Sequence, residues 1–123
     1  MATQALTAST FESTVTENPV VFVDFWAAWC GPCRGFAPVF EAASNVHDGI
    51  VFGKVDTEAE RSLAAAAQIT SIPTLMAFRD GILVYSQPGA LRAADFDRLI
   101  ASVLDLDMDA ARAQIAAQQT ARA

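Results

Sequence analysis

Apolar positions along the chain repeat with two different periods, and the alternation between them lays out the expected elements. Val20-Val21-Phe22-Val23-Asp24-Phe25-Trp26 is an almost unbroken β-branched and aromatic run, the pattern of a strand covered on both faces. Ile50 to Asp56, Leu75-Met76-Ala77-Phe78 and Ile82-Leu83-Val84-Tyr85 read as three more strands. Asp80-Gly81 joins the last two as a two-residue hairpin, and Gly89-Ala90 closes the final one. Helical spacing takes over between them. Phe36, Phe40, Ala43 and His47 share one face of a helix that begins near Pro32 and stops at Asp48-Gly49. Pro38 lies inside it and removes one backbone bond, which predicts a kink. Ser9 followed by Glu12 offers a capping box for a short helix ending near Glu17, where Asn18-Pro19 breaks the pattern. Glu58 to Gln68 reads as another helix, and Asp95 to Leu104 as an amphipathic one with Phe96, Leu99, Ile100 and Val103 inward. Strand–helix alternation followed by a hairpin and a helix implies a mixed sheet with helices on both faces.

Composition narrows this picture. The chain has 123 residues, 53% of them apolar, enough for one domain with a core that needs no disulfide staples. A net charge of −6 with singly scattered cations argues against nucleic acid or an anionic membrane as partner. Met1-Ala2-Thr3-Gln4 has neither a positive n-region nor an apolar h-region, so no signal peptide is expected. No apolar run approaches the roughly 20 residues of a membrane span. The single lysine, Lys54, stands out because the other seven cations are arginine.

Two cysteines and one histidine are too few for the usual four-ligand zinc site, and no metal is expected. A structural staple across Cys30-Gly31-Pro32-Cys33 would remove little unfolded-state entropy, since that gain grows with loop length. Reversible thiol chemistry explains the pair better. The attacking species is a thiolate, and a helix start favours an anion there through its free N–H groups and dipole. Cys30 is expected to be exposed and nucleophilic, Cys33, one turn along, buried and resolving. Asp24 is the second anomaly, a carboxylate within an apolar strand. Burial would raise its pKa and suit it to exchange a proton with Cys33; a strand-end Asp reaching water or a capping N–H is the plainer reading. Lys54 either pairs with Asp24 across neighbouring strands or faces solvent from an edge.

The segment Val23-Asp24-Phe25-Trp26-Ala27-Ala28-Trp29-Cys30-Gly31-Pro32-Cys33, with Pro38 after it, resembles the signature of the thioredoxin family. Lys54-Val55-Asp56, Ile72-Pro73-Thr74, Asp80-Gly81 and Gly89-Ala90 fall at that family's later landmarks, and the likeness is greatest to bacterial, actinobacterial-type members. The resemblance spans about residues 5 to 104. It implies a thioredoxin fold, α/β with a mixed five-stranded sheet and Asp24 on its central strand. It implies a cytoplasmic, monomeric protein-disulfide reductase with no cofactor of its own. In that scheme Cys30 attacks an oxidised target protein, Cys33 resolves the mixed disulfide, and Asp24 assists Cys33 with Lys54 beside it. An NADPH-dependent thioredoxin reductase would recycle the pair. Pro73 would be cis, the Ile72 backbone would pair with the substrate chain, and Trp29, Gly31, Pro32, Ile72, Pro73, Gly89 and Ala90 would form the docking rim.

The uncharged Gly-Pro spacer favours reduction over thiol oxidation or isomerisation. The alternative from another class is a redox-independent binding or chaperone module. Gly35 within the active-site helix, Ser71 and Pro88 depart from the usual pattern and bear on partner preference. Residues 1–104 are expected to form the domain and 105–123 a C-terminal helical or partly disordered extension. Met108, Ala111, Ile115 and Gln118 make a weak stripe there that either frays in solution or docks on this domain or a partner.

Overall fold

In chain order the elements are β1 (Gln4–Ala5), α1 (Phe11–Glu17), β2 (Val20–Trp26), α2 (Gly31–Val46), β3 (Val51–Asp56), α3 (Arg61–Ala66), β4 (Thr74–Arg79), β5 (Ile82–Pro88), α4 (Ala93–Leu104) and α5 (Met108–Arg122). They come from a computed structural model, which describes residues 3–122. The strands form one five-stranded mixed sheet in the order β1-β3-β2-β4-β5. β3 runs parallel to both β1 and β2, while β4 is antiparallel to β2 and to β5. β2 is central because its apolar run can be covered on both faces. Alternation along it sends Val20 and Phe22 to one side and Val21, Val23 and Phe25 to the other. The first set packs with Phe36, Phe40 and Ala43 of α2 and Phe96, Ile100 and Val103 of α4. The second packs with Leu6, Val15, Val55, Met76 and Phe78, joined by Phe11 and Leu63. Helices therefore cover both faces. Five phenylalanines, Phe22, Phe36, Phe40, Phe52 and Phe96, make a connected ring cluster beneath α2.

Local signals were honoured unevenly. Asp80 and Gly81 both take positive φ, 53° and 80°, the conformation that suits a tight hairpin to the twist of its strands. α2 runs through Pro38 as one helix. The capping box at Ser9 does not form: Thr10 occupies the N-cap of α1 without a side-chain cap bond, because its hydroxyl instead accepts the N–H of Thr7. The helix expected over 58–68 shortens to α3. Asp56 Oδ1 accepts the N–H groups of Glu58 and Ala59, and Thr57 bonds the carbonyl of Trp26 through both its N–H and its hydroxyl. These bonds hold residues 57–59 in turns. Gln68, at a φ of 59°, ends the helical course.

β5 extends beyond Tyr85 to Pro88, with a register shift opposite Ala77/Phe78. β1 had no pattern to announce it in two exposed residues. It is held by Leu6, which is buried over Gly53; a Cβ at that position would overlap the Leu6 side chain. The stripe noted in the tail faces inward: Met108 is buried, and Ala111, Ile115 and Gln118 line a hollow with Ile82, Leu83 and Val84 of β5.

Candidate active site

β2 ends at Trp26 and the chain turns, with Cys30 N–H bonded to the Ala27 carbonyl at 3.2 Å, before α2 begins. Cys30 is the N-cap of α2, and its Sγ accepts the backbone N–H of Cys33 at 3.2 Å. One of the orphan donors of the helix start is thereby aimed at sulfur, an arrangement that stabilises a thiolate when the pair is reduced. Cys30 and Cys33 are joined as a disulfide, with Cα atoms 5.2 Å apart. The expected contrast in exposure is not found. Cys30 is 4% exposed and Cys33 2%, because the bridge draws both sulfurs into a small cluster with Ala27, Trp26 and Ile72.

Three loops meet here. The Ile72–Pro73 peptide is cis, and the Ile72 carbonyl oxygen lies 3.7 Å from Cys30 Sγ. The Pro73 carbonyl accepts the N–H of Gly89 at 2.8 Å, which ties the end of β5 to the same place. Pro73 is buried, Ile72 half-buried, and Gly31, Pro32, Gly89 and Ala90 are exposed. Trp29 is 67% exposed, so it is a surface residue, and Trp26 is half-buried. A groove lined by Trp29, Thr57, Ala64, Ile69, Thr70, Ser71 and Ile72 runs beside the bridge. Ser71 thus contributes to the groove wall, and Pro88, paired with Thr74, is the last residue of β5.

Asp24 is fully buried. Its place in the alternation of β2 puts it on the face covered by α2, the helix whose first turn holds Cys33. Neither carboxylate oxygen has a hydrogen-bond partner among the described residues. Burial pushes its pKa up to about 6, partly offset by the charge of Lys54. Lys54 is its register neighbour on β3, so the two strands are adjacent as expected. The direct ion pair is not formed. The ammonium lies 5.0 Å from the centroid of the Trp26 ring, where the ring face attracts it. His47 follows the last residue of α2, donates its backbone N–H to Ala43, and sets its ring 6.4 Å from that of Phe52.

One residue at the loop went unnoticed in the sequence. Arg34 reaches back from the first turn of α2, and its Nη1 donates to the Ala28 carbonyl at 2.8 Å. The signal was available: a cation four residues past the first cysteine can fold back over the loop before the helix.

The thioredoxin family model matches residues 2–102. A Streptomyces coelicolor protein named "Putative thioredoxin 2" is 50% identical over 118 residues, which cover 96% of this chain and 88% of that protein. Thioredoxin 1 of Synechococcus elongatus is 47% identical over 89 residues, 71% of this chain and 83% of its own. Among solved structures, Plasmodium falciparum thioredoxin superposes with a TM-score of 0.75 at 34% identity, covering 80% of this chain and 97% of that one. Malassezia sympodialis thioredoxin gives 0.74 at 30% identity, covering 83% and 93%.

Proposed function

The chain belongs to the thioredoxin family, and from that premise we propose how its residues divide the work of a protein-disulfide reductase. The family match and the Cys30–Cys33 bridge make it a thiol–disulfide oxidoreductase. In the reduced protein the Cys30 thiolate attacks one sulfur of a target disulfide. A mixed disulfide forms and the target's other sulfur leaves as a thiolate. Cys33 then attacks Cys30 Sγ, the second target thiolate departs, and the intramolecular bridge is restored with both electrons passed to the target. Asp24 takes the proton that Cys33 must lose, a task suited to a carboxyl with a pKa of about 6. Lys54 moderates that pKa by its charge and not by direct contact. The rim of Trp29, Gly31, Pro32, Ile72, Pro73, Gly89 and Ala90 receives the target, whose backbone pairs beside Ile72.

We assign the catalytic unit to residues 1–104 and treat 105–123 as an extension. Reductive work of this kind belongs to the cytoplasm, with an NADPH-dependent thioredoxin reductase returning the bridge to the dithiol. The observation that carries the reading is a disulfide whose Cys30 sulfur caps a helix N-terminus and sits against the Ile72–Pro73 loop. The test is reduction of a disulfide-containing protein driven by dithiothreitol, comparing the parent with Cys30→Ser. The variant should fold and fall to the uncatalysed rate. Activity retained in that variant would overturn the assignment.

A further inference from the structure

The docking rim is made wholly of uncharged residues, and the chain as a whole carries −6. Arg34 sits at the edge of that rim. Its Nη1 is pinned to the Ala28 carbonyl, two residues before Cys30, at 2.8 Å. The guanidinium consequently lies across Gly31, with Nη2 3.8 Å from where a Cβ at that glycine would stand. A guanidinium carries five N–H donors in a fixed fork. One is committed to the loop, which sets the direction of the others, and these find no partner among the described residues. Gly35, next along the helix, adds no side chain there, and among the described residues no atom beyond its chain neighbours and its own helix backbone lies within 4 Å of a Cβ built on it.

We propose that Arg34 is a specificity-determining residue that favours target disulfides flanked by an acidic side chain. The inference rests on the reductase reading and adds the chemistry of the preferred substrate. A carboxylate beside the attacked cystine meets a cation that the Ala28 carbonyl holds oriented next to Gly31 of the rim. The same carboxylate would otherwise meet a net-negative protein. Any influence of Arg34 on the reactivity of Cys30 acts on all targets alike, so a ratio between two targets isolates recognition.

The experiment uses the full chain, reduced beforehand, and two synthetic peptides closed by one disulfide, identical except for Glu or Gln on both sides of the first cysteine. Second-order rate constants are read by stopped-flow tryptophan fluorescence at low salt. The parent should prefer the Glu peptide by about threefold, as expected for a largely exposed charge pair. That ratio should collapse toward one in 0.5 M salt. Arg34→Gln should bring it to one or below, and Arg34→Lys should keep part of it because the charge remains without the fork. Thermal melts of each variant confirm that the fold is retained. A parent ratio of one or less, or a ratio unchanged by Arg34→Gln, overturns the inference. Failure of the parent to reduce even the Gln peptide would overturn the reductase reading itself.

Discussion

Strands β2 and β5 belong to one sheet and only β4 separates them, yet they serve different ends. β2 is buried from Val20 to Phe25, whereas β5 is half-buried at best and exposed from Ser86 to Pro88. The helices packed near them differ in the same way. α2 buries Cys33, Phe36, Phe40, Ala43 and Ser44; of the described side chains of α5, Met108 alone is buried. Both helices nevertheless start with the same device, a side-chain atom accepting the N–H three residues on. At α2 the acceptor is Cys30 Sγ, and at α5 it is Asp107 Oδ1. A capped helix start is therefore not itself a reactive site. It becomes one where the strand before it and the helix after it are both locked in the core, so that the capping atom is held against a second loop.

Shortening one inward side chain on each helix separates what α2 and α5 contribute to the fold. Phe40 is fully buried, with the rings of Phe36, Phe52 and Phe96 at centroid distances of 5.8, 5.3 and 5.8 Å. Phe40→Ala should cost about 3–5 kcal/mol in urea unfolding. Ile115→Ala in α5, from a half-buried position, should cost less than about 1 kcal/mol. Similar losses at the two sites would show that α5 is as integral to the fold as α2.

Asp24 sharpens the point, because the most buried strand also bears a destabilising group. Its pKa is about 6 in the folded protein against 3.8 unperturbed. Between those values the native state holds more protons than the unfolded chain, so this group's contribution to stability falls as pH rises from 4 to 6, then levels off. The full cost above pH 6 is roughly 3 kcal/mol. Asp24→Asn should thus be more stable than the parent at pH 8, by less than that amount because the buried amide also lacks partners. The advantage should shrink toward pH 4. Urea melts of the oxidised proteins at pH 4, 6 and 8 test this, and a difference independent of pH would refute it. In the same variant the reduction of a protein disulfide should slow, since Cys33 loses its proton acceptor.

Within α2 the outward face should behave like any helix surface. Gly35 is exposed with open space around it, so Gly35→Ala should stabilise the protein by about 1 kcal/mol, read as a raised thermal midpoint. A loss of stability would mean that the glycine serves the backbone and not merely the surface.

What the sequence disclosed follows the same division. Four strands, the hairpin at Asp80-Gly81 and the inward face of α2 were legible, because burial on both sides or on one stripe leaves a strong pattern. Cys30, Cys33 and Asp24 were legible as exceptions to it. β1 was not, since two exposed residues hold their place through Leu6 and Gly53, a contact 47 positions apart in the chain. The short α3 was hidden because Asp56 and Thr57 spend their polar atoms on turns that hydrophobic spacing does not register. Lys54 showed the limit most plainly. Its strand neighbour could be read from the order of elements, but its choice of the Trp26 ring over the Asp24 carboxylate is a matter of side-chain geometry.

The smallest expected effect concerns what ties the tail to the body. Arg112 Nη1 lies 3.3 Å from Asp80 Oδ2 in the hairpin, and Nη2 lies 3.0 Å from Asp109 Oδ1 within α5. Half of the Arg112 side chain is exposed, so water and salt compete for both carboxylates and the pair contributes little to global stability. Arg112→Ala should leave the thermal midpoint within error of the parent. It should still loosen the seat of α5 on β5, because Asp80 is the carboxylate that reaches across from another element. Hydrogen exchange should therefore quicken at the α5 amides and stay unchanged in β2 and α2, and 0.5 M salt should reproduce the effect in the parent. Were the midpoint to fall as far as in Phe40→Ala, the tail would belong to the same cooperative unit as the active-site helix, and the contrast between α2 on β2 and α5 on β5 would fail.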